Sequence, residues 1–321
     1  MRIVTNWPAV PEHWRASDGK SGVRVLARTA AEMRAAAEPK DSVCLVNCDP
    51  ELTMGMALAN LWPPARRPLV VSDIVLRRPT TSKAKLLHPF KRALISRADL
   101  YLNLFSDVRG LTEVFGIPPE RCAFVPFKVN INAAEVAAAE TAEDYVLCFG
   151  RSLRDFDTFF AAMEQLDLPG AIARVNPADL QAHGARFTRT LDQLPRNVAQ
   201  LDDDGSQMAQ VRMLARAKLV VIPVLKSSIV ASGISTALNA MRLGKCVIGS
   251  EGPGMSDIFT DEVLTAPPED PAALAAVIRR AWTDDALRTR TAEKGLAYAI
   301  VQGGEKELAQ RMVDAVAARF G

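Results

Sequence analysis

Histidine is scarce in this chain: His13, His88 and His183 are the only three in 321 residues, and they are far apart in sequence. A structural zinc site needs close pairs of cysteine or histidine, so no metal is expected. Cysteine is also sparse. Cys44 and Cys48 flank an apolar stretch of strand character, and Cys122, Cys148 and Cys246 sit singly in others. They read as buried free thiols, which excludes a disulfide scaffold. No apolar run approaches the roughly 18 to 20 residues that span a bilayer. Met1-Arg2-Ile3-Val4 leads into polar and proline residues, not a signal-peptide core, so a cytoplasmic protein is expected. With 49% apolar and 24% charged residues and a net charge of +2, disordered and collagen-like chains are excluded. The length suits about two domains.

The near-neutral total hides a local imbalance. Between Pro64 and Ala98 stand Arg66, Arg67, Arg77, Arg78, Lys83, Lys85, Lys91, Arg92 and Arg97 against the single acid Asp73. Leu87, Phe90 and Leu94 recur there at helical spacing, with Lys85 and Arg92 on the other side, which predicts a basic amphipathic helix. Two readings stay open: a solvated face, or a peripheral hold on the inner, anionic face of the cell membrane through Lys83, Lys85, Lys91 and Arg92. Nucleic acid is not expected as a partner, because the run lacks interleaved stacking aromatics.

Periodicity organises the rest. Val23, Leu26, Ala30, Met33 and Ala37 follow a helical spacing, and Val43 to Val46 is an all-apolar strand. Helices and strands then alternate: a helix over Glu51 to Leu61, a strand over Pro68 to Ser72, the basic helix, a strand over Leu100 to Leu104, a helix after Asp107, and a strand over Ala123 to Pro126. The segment Ala133 to Glu140 reads as a linker or connecting helix. Alternation resumes with strands at Tyr145 to Phe149, Ala171 to Val175, Val198 to Leu201, Leu219 to Pro223 and Cys246 to Ile248. Helices are expected over Asp155 to Leu166, Ser206 to Arg216 and Ser235 to Leu243, and from Pro271 onward. Such alternation means parallel sheets covered by helices. We expect an α/β protein of two doubly wound, Rossmann-like domains facing across a cleft. Residues 1–135 form the first domain and 136–321 the second, whose terminal helices cross back to the first.

Two tempting sites are set aside. Ala16 to Ser21 resembles a phosphate loop, but the glycine it needs falls on Trp14. Asp202-Asp203-Asp204 follows a strand and precedes a helix, where acids serve as turn and cap.

The strongest candidate is Val230 to Met241. Ser232 and Gly233 let backbone approach a ligand, and Ile234, Ser235 and Thr236 open a helix whose unpaired N–H groups suit an anion. A plain helix cap explains the Ser and Thr equally well. A strand ending in Gly150-Arg151, with Arg154 three residues on, adds fixed positive charge. A glycine turn, Glu251-Gly252-Pro253-Gly254 with Asp257, adds backbone donors and a carboxylate.

In this order and spacing, the three segments resemble the C-terminal half of GT-B glycosyltransferases, especially the group 1, or family 4, enzymes. The resemblance spans about Asp144 to Tyr298. It rests on Gly150-Arg151, on Ala240-Met241-Arg242-Leu243-Gly244-Lys245-Cys246-Val247-Ile248, and on Gly252-Pro253-Gly254 with Asp257. Gly116 to Arg121 and Val125 to Asn130 look like the end of that family's acceptor domain. The family's paired glutamates, which hold the donor sugar and the ribose, fall on Ala231 and Asn239. Asn239 keeps a hydrogen-bonding group. The basic residue usual after the Gly-Arg pair falls on Phe156, and Arg154 or Lys226 is the expected substitute.

The resemblance implies a hexosyltransferase-like enzyme. It would move a sugar from a nucleotide-diphosphate donor to a hydroxyl of a glycan or lipid-linked acceptor in surface polysaccharide or glycolipid assembly. No cofactor or metal is expected, since Arg151, Arg154 and the helix at Ser235 would steady the leaving diphosphate. An inverting reaction needs a base, and Asp49 ranks ahead of Asp73, each just past a strand. A retaining reaction needs none. The alternatives are a sugar-nucleotide epimerase and a non-catalytic, membrane-associated partner of the same fold.

Overall fold

The computed structural model describes residues 1–61, 66–139, 144–202 and 204–321. Pro64, Glu140 and Asp203, named above, lie outside the described residues. The chain divides into two compact units, residues 1–126 with 305–321, and residues 127–304.

The first unit begins with β1 (Arg2–Thr5), β2 (His13–Arg15), β3 (Ser21–Leu26) and α1 (Ala30–Ala36). It continues through β4 (Ser42–Asn47), α2 (Pro50–Ala59), β5 (Leu69–Ser72), α3 (Ser82–Ile95), β6 (Leu100–Asn103), α4 (Arg109–Phe115) and β7 (Cys122–Phe124). The sheet order is β2-β3-β1-β4-β5-β6-β7, parallel except where β2 runs against β3. Its middle strands read Ser-Val-Cys-Leu-Val-Asn, Leu-Val-Val-Ser and Leu-Tyr-Leu-Asn and are almost wholly buried, as strands covered on both faces must be.

Residues 21–26 correct one expectation. The helical spacing of Val23 and Leu26 is not a helix: Val23 pairs with Arg2 in parallel register, and both apolar side chains remain partly exposed. The intervening Gly22 disfavours a helix, and Trp14 packs over it so closely that a Cβ there would strike the indole. The helix begins only at Ala30, capped by Thr29.

The second unit carries α5 (Ala133–Ala137), β8 (Val146–Cys148), α6 (Phe156–Met163), β9 (Gly170–Ile172), α7 (Pro177–Ala182), β10 (Val198–Gln200) and α8 (Gln207–Arg216). Then come β11 (Leu219–Ile222), α9 (Ile234–Arg242), β12 (Cys246–Ser250), β13 (Leu264–Ala266), α10 (Pro271–Thr283) and α11 (Asp285–Gln302). Its sheet, β10-β9-β8-β11-β12-β13, is entirely parallel. Two buried clusters cover its faces, one around Leu214, Leu238 and Met241 and the other around Phe156, Phe159, Phe160 and Ile278.

The last helix, α12 (Glu305–Phe320), belongs to the first unit. It buries Leu308, Met312, Val313 and Val316, while Asp314 accepts from Ser17 and Arg311 Nε donates to Pro126 O. The units therefore divide ahead of the boundary drawn at residue 135, and one terminal helix leaves the second unit. No described helix is long and apolar enough to cross a membrane.

Candidate functional site

In the second unit the strand order reverses between β8 and β11, and open α/β sheets hold ligands beyond the carboxyl ends of the strands at such a switch point. A cavity of about 530 Å³ opens there. Gly150, Arg151, Arg154, Gly233, Ser235 and Thr236 line it together.

Arg154 dominates the chemistry. It is 1% exposed, Nη1 reaches Pro223 O at a long 3.5 Å, and its buried Nε has no partner among the described residues. The guanidinium lies against two glycines of positive φ, Gly150 (φ 107°) and Gly233 (φ 102°), and a Cβ on either would collide with it. Burial pulls its pKa down to about 10, so it is a cation at neutral pH. A buried charge without a counterion costs several kcal/mol, on the order of what a bound anion would return. Its neighbour Asp155 does not serve as counterion. That carboxylate caps α6 through Thr158 and is taken by Arg186, whose Nε and Nη2 stand 2.9 and 2.5 Å away.

Helix α9 adds to the positive potential. Its N-cap is Gly233, and no side chain caps its first turn. Most of the other helices have a capping hydroxyl, amide or carboxylate, such as Ser206 on α8 or Asp270 on α10. Open N–H groups at a helix start are an anion site.

Arg151 is placed differently from Arg154. Its side chain is 63% exposed and is held by Asp179 Oδ2 at 3.0 Å, with His183 Nδ1 3.3 Å from the other carboxylate oxygen. Asp179, Arg174, Asn176 and Gln210 also line the cavity and were not singled out in the sequence, and His183, weighed there only as a metal ligand, joins them. The available signal was Asn176-Pro177, a cap and first helical residue shortly after a parallel strand.

Other expected residues go elsewhere. Lys226, Glu251 and Gly252 line a separate cavity of about 100 Å³. Asn239 Oδ1 accepts from the Asn130 N–H at 2.9 Å, and Asn130 Nδ2 donates to Ser235 Oγ at 2.5 Å. Ser232 is buried beside Ser228 Oγ, and Ile234 packs into the core. Within the glycine turn, Gly252 N–H is taken by Ser256 Oγ and Gly254 N–H by Asp257 Oδ1, so both donors are spent inside the turn. A Cβ on Gly254 would stand 2.5 Å from that of Ala231.

In the first unit, Asp49 caps α2, Oδ1 accepting from Leu52 N at 2.8 Å. Asp73 follows β5 in a left-handed conformation (φ 48°), as does Cys48 after β4 (φ 53°). Cys48 is exposed, which corrects its reading as a buried thiol: it lies one residue past β4, where the next helix is already being capped. Burial of part of the group, then Asp73 and Asp49, raise its pKa. The same edge is sewn shut between β1 and β4 by Asn6 and Asn47, which exchange hydrogen bonds of 2.9 and 2.8 Å. Asp204 accepts from Ser206 N–H, and Ser206 caps α8.

The family model for glycosyl transferases group 1 matches residues 205–297. A search of curated protein sequences finds no match. Among solved structures, sucrose-phosphate synthase from Thermosynechococcus elongatus is 16% identical with a TM-score of 0.64, over 99% of this chain and 88% of that one. Anabaena HepE in complex with UDP is 13% identical with a TM-score of 0.62, over 92% and 85%. A glycosyltransferase from Rickettsia africae is 11% identical with a TM-score of 0.62, over 92% and 84%. The chain has the GT-B fold, two Rossmann-like units each built on a parallel sheet. The matched segment, within the second unit, is similar to group 1 glycosyl transferases, and the solved structures share the fold.

Proposed function

We propose that this protein transfers a sugar from a nucleotide-diphosphate donor to an acceptor hydroxyl. The observation that carries the reading is Arg154, a buried cation with unused donors beside the uncapped start of α9. A diphosphate supplies the missing charge and acceptors. As the sugar leaves, negative charge grows on the diphosphate, and preorganised donors in a water-poor site stabilise it by several kcal/mol. Arg154 and α9 take that role without a divalent ion, and Arg151 joins when Asp179 releases it. UDP, bound in the HepE structure, is the first donor nucleotide to try.

The acceptor reading is a glycan or lipid-linked hydroxyl in surface glycan or glycolipid assembly, presented at the cytoplasmic face of an anionic membrane. Asp49 is the base of an inverting reaction, with Asp73 second. One observation favours a non-catalytic partner instead: Ala231, on which the family's sugar-holding glutamate falls, has no carboxylate and lies so close to Gly254 that a Cβ on that glycine would stand 2.5 Å from its own.

Calorimetric titration with UDP, GDP, ADP and TDP in EDTA tests the donor site. One diphosphate binds, and Arg154→Met weakens it a hundredfold or more. No binding by any of the four would remove the nucleotide assignment. Binding without turnover or transfer to any added acceptor would favour the non-catalytic reading.

A further inference from the structure

Helix α3 is fastened to its unit by polar residues and leaves apolar ones in solvent. His88 Nε2 lies 2.9 Å from Val114 O, and its ring meets Phe115 edge-on at 5.2 Å. Arg92 Nη1 donates to Glu113 O and Val114 O at 3.2 Å each, capping the carboxyl end of α4. Arg92 is therefore occupied with α4, contrary to its expected part in the basic face. Leu94 is buried, as its spacing predicts, but Leu86 is 80% exposed, Phe90 61% and Leu87 42%.

At 100° per residue, Leu86, Leu87 and Phe90 form one outward stripe around Lys83 over the first part of the helix, with Lys85 and Lys91 on its two sides, while Leu94 on the same side is buried in the last turn. Among the described residues these three lysines make no ion pair, and no acid occurs between Ser82 and Ile95. An exposed apolar stripe bordered by unpaired cations fits the boundary between anionic headgroups and acyl chains.

We propose that α3 docks the protein on an anionic lipid bilayer by inserting Leu86 and Phe90 below the headgroups while Lys83, Lys85 and Lys91 engage the phosphates. This goes further than electrostatic adsorption, because the apolar side chains supply part of the hold. It deepens the acceptor side of the proposed function and is independent of the donor site.

The test is co-sedimentation with phosphatidylcholine vesicles with and without 30% phosphatidylglycerol. The wild type binds the anionic vesicles. Leu86→Ser with Phe90→Ser, which leaves charge unchanged at exposed positions, lowers the partition coefficient tenfold or more with Tm unaltered. Lys83→Gln, Lys85→Gln and Lys91→Gln together abolish the preference for phosphatidylglycerol. In Phe90→Trp, fluorescence is quenched by lipids brominated on their acyl chains. The proposal is overturned if the wild type ignores anionic vesicles, if the serine pair binds like wild type, or if the tryptophan stays unquenched. Self-association lost in the serine pair, without vesicle binding, would also overturn it and point to a second copy. Nucleotide calorimetry on the same preparation is read separately, so failure at the membrane and failure at the donor site are distinguishable.

Discussion

The Arg154 guanidinium lies against Gly233, such that a Cβ on that glycine would stand 2.9 Å from Nη2 and 2.5 Å from Ile222 Cγ2. One arginine in the loop after β8 and one glycine at the start of α9 thus hold each other's position, and both line the same cavity. The arginine can be buried there because the glycine has no side chain.

Gly233→Ala is expected to destabilise the protein by about 2 kcal/mol, since φ of 102° strains any other residue even before the collision. Diphosphate affinity falls with it. Thermal unfolding and calorimetry on the same sample read both effects.

Arg154 and Arg186 should respond oppositely to the same change. Arg154→Met removes a buried cation that has no counterion, so stability is kept or rises by about 1 to 2 kcal/mol while diphosphate binding is lost. Arg186→Met strands Asp155, whose side chain is 1% exposed, and costs about 3 kcal/mol. Denaturant unfolding of the two variants checks the contrast.

Alkaline pH should unfold the protein through its buried thiols. Burial raises the pKa of Cys44, Cys148 and Cys246 from 9.0 to about 12. Between those values the unfolded chain releases protons that the folded chain keeps. The contribution of these groups to stability is therefore complete below pH 9 and is lost progressively toward pH 12, by up to about 1.4 kcal/mol per unit for each thiol. Tm measured from pH 8 to 10.5 should fall above pH 9, and more gently in Cys148→Ala with Cys246→Ala. With a thiol reagent at pH 8, exposed Cys48 labels first and the three buried groups only on unfolding.

The glycine turn gives a paired comparison. Gly254→Ala places a Cβ against Ala231 at φ 85°, while Gly252→Ala meets no atom within 4 Å at φ 137°. Both are strained, but the first is expected to cost about 1 kcal/mol more in denaturant unfolding. Ala231→Glu should destabilise for the same reason, without raising the rate of sugar transfer.

Much of the fold was legible because its signals are local. Buried strands such as Leu219-Val220-Val221-Ile222 are continuous apolar runs, and Asp49, Ser206 and Asp270 mark helix starts with side chains that cap their own turn. Segment 21–26 misled because apolar spacing alone does not distinguish a helix from a strand near a sheet edge, where pairing with β1 decides.

The sequence by itself determined the alternation of strands and helices, the two Rossmann-like halves and the loops that gather around Gly150 and Gly233. Those properties follow from periodicity and turn chemistry within a few residues. Only the tertiary structure decided which of two neighbouring arginines is buried without a counterion among the described residues and which is held by Asp179, that Asn239 is spent on Asn130, and that α3 turns Leu86 and Phe90 outward. Each depends on what a distant segment offers: a carbonyl at Val114, a carboxylate on α7, a glycine on the far side of the sheet's switch point. A side chain's surroundings are set by packing across the chain, and a linear pattern does not contain them.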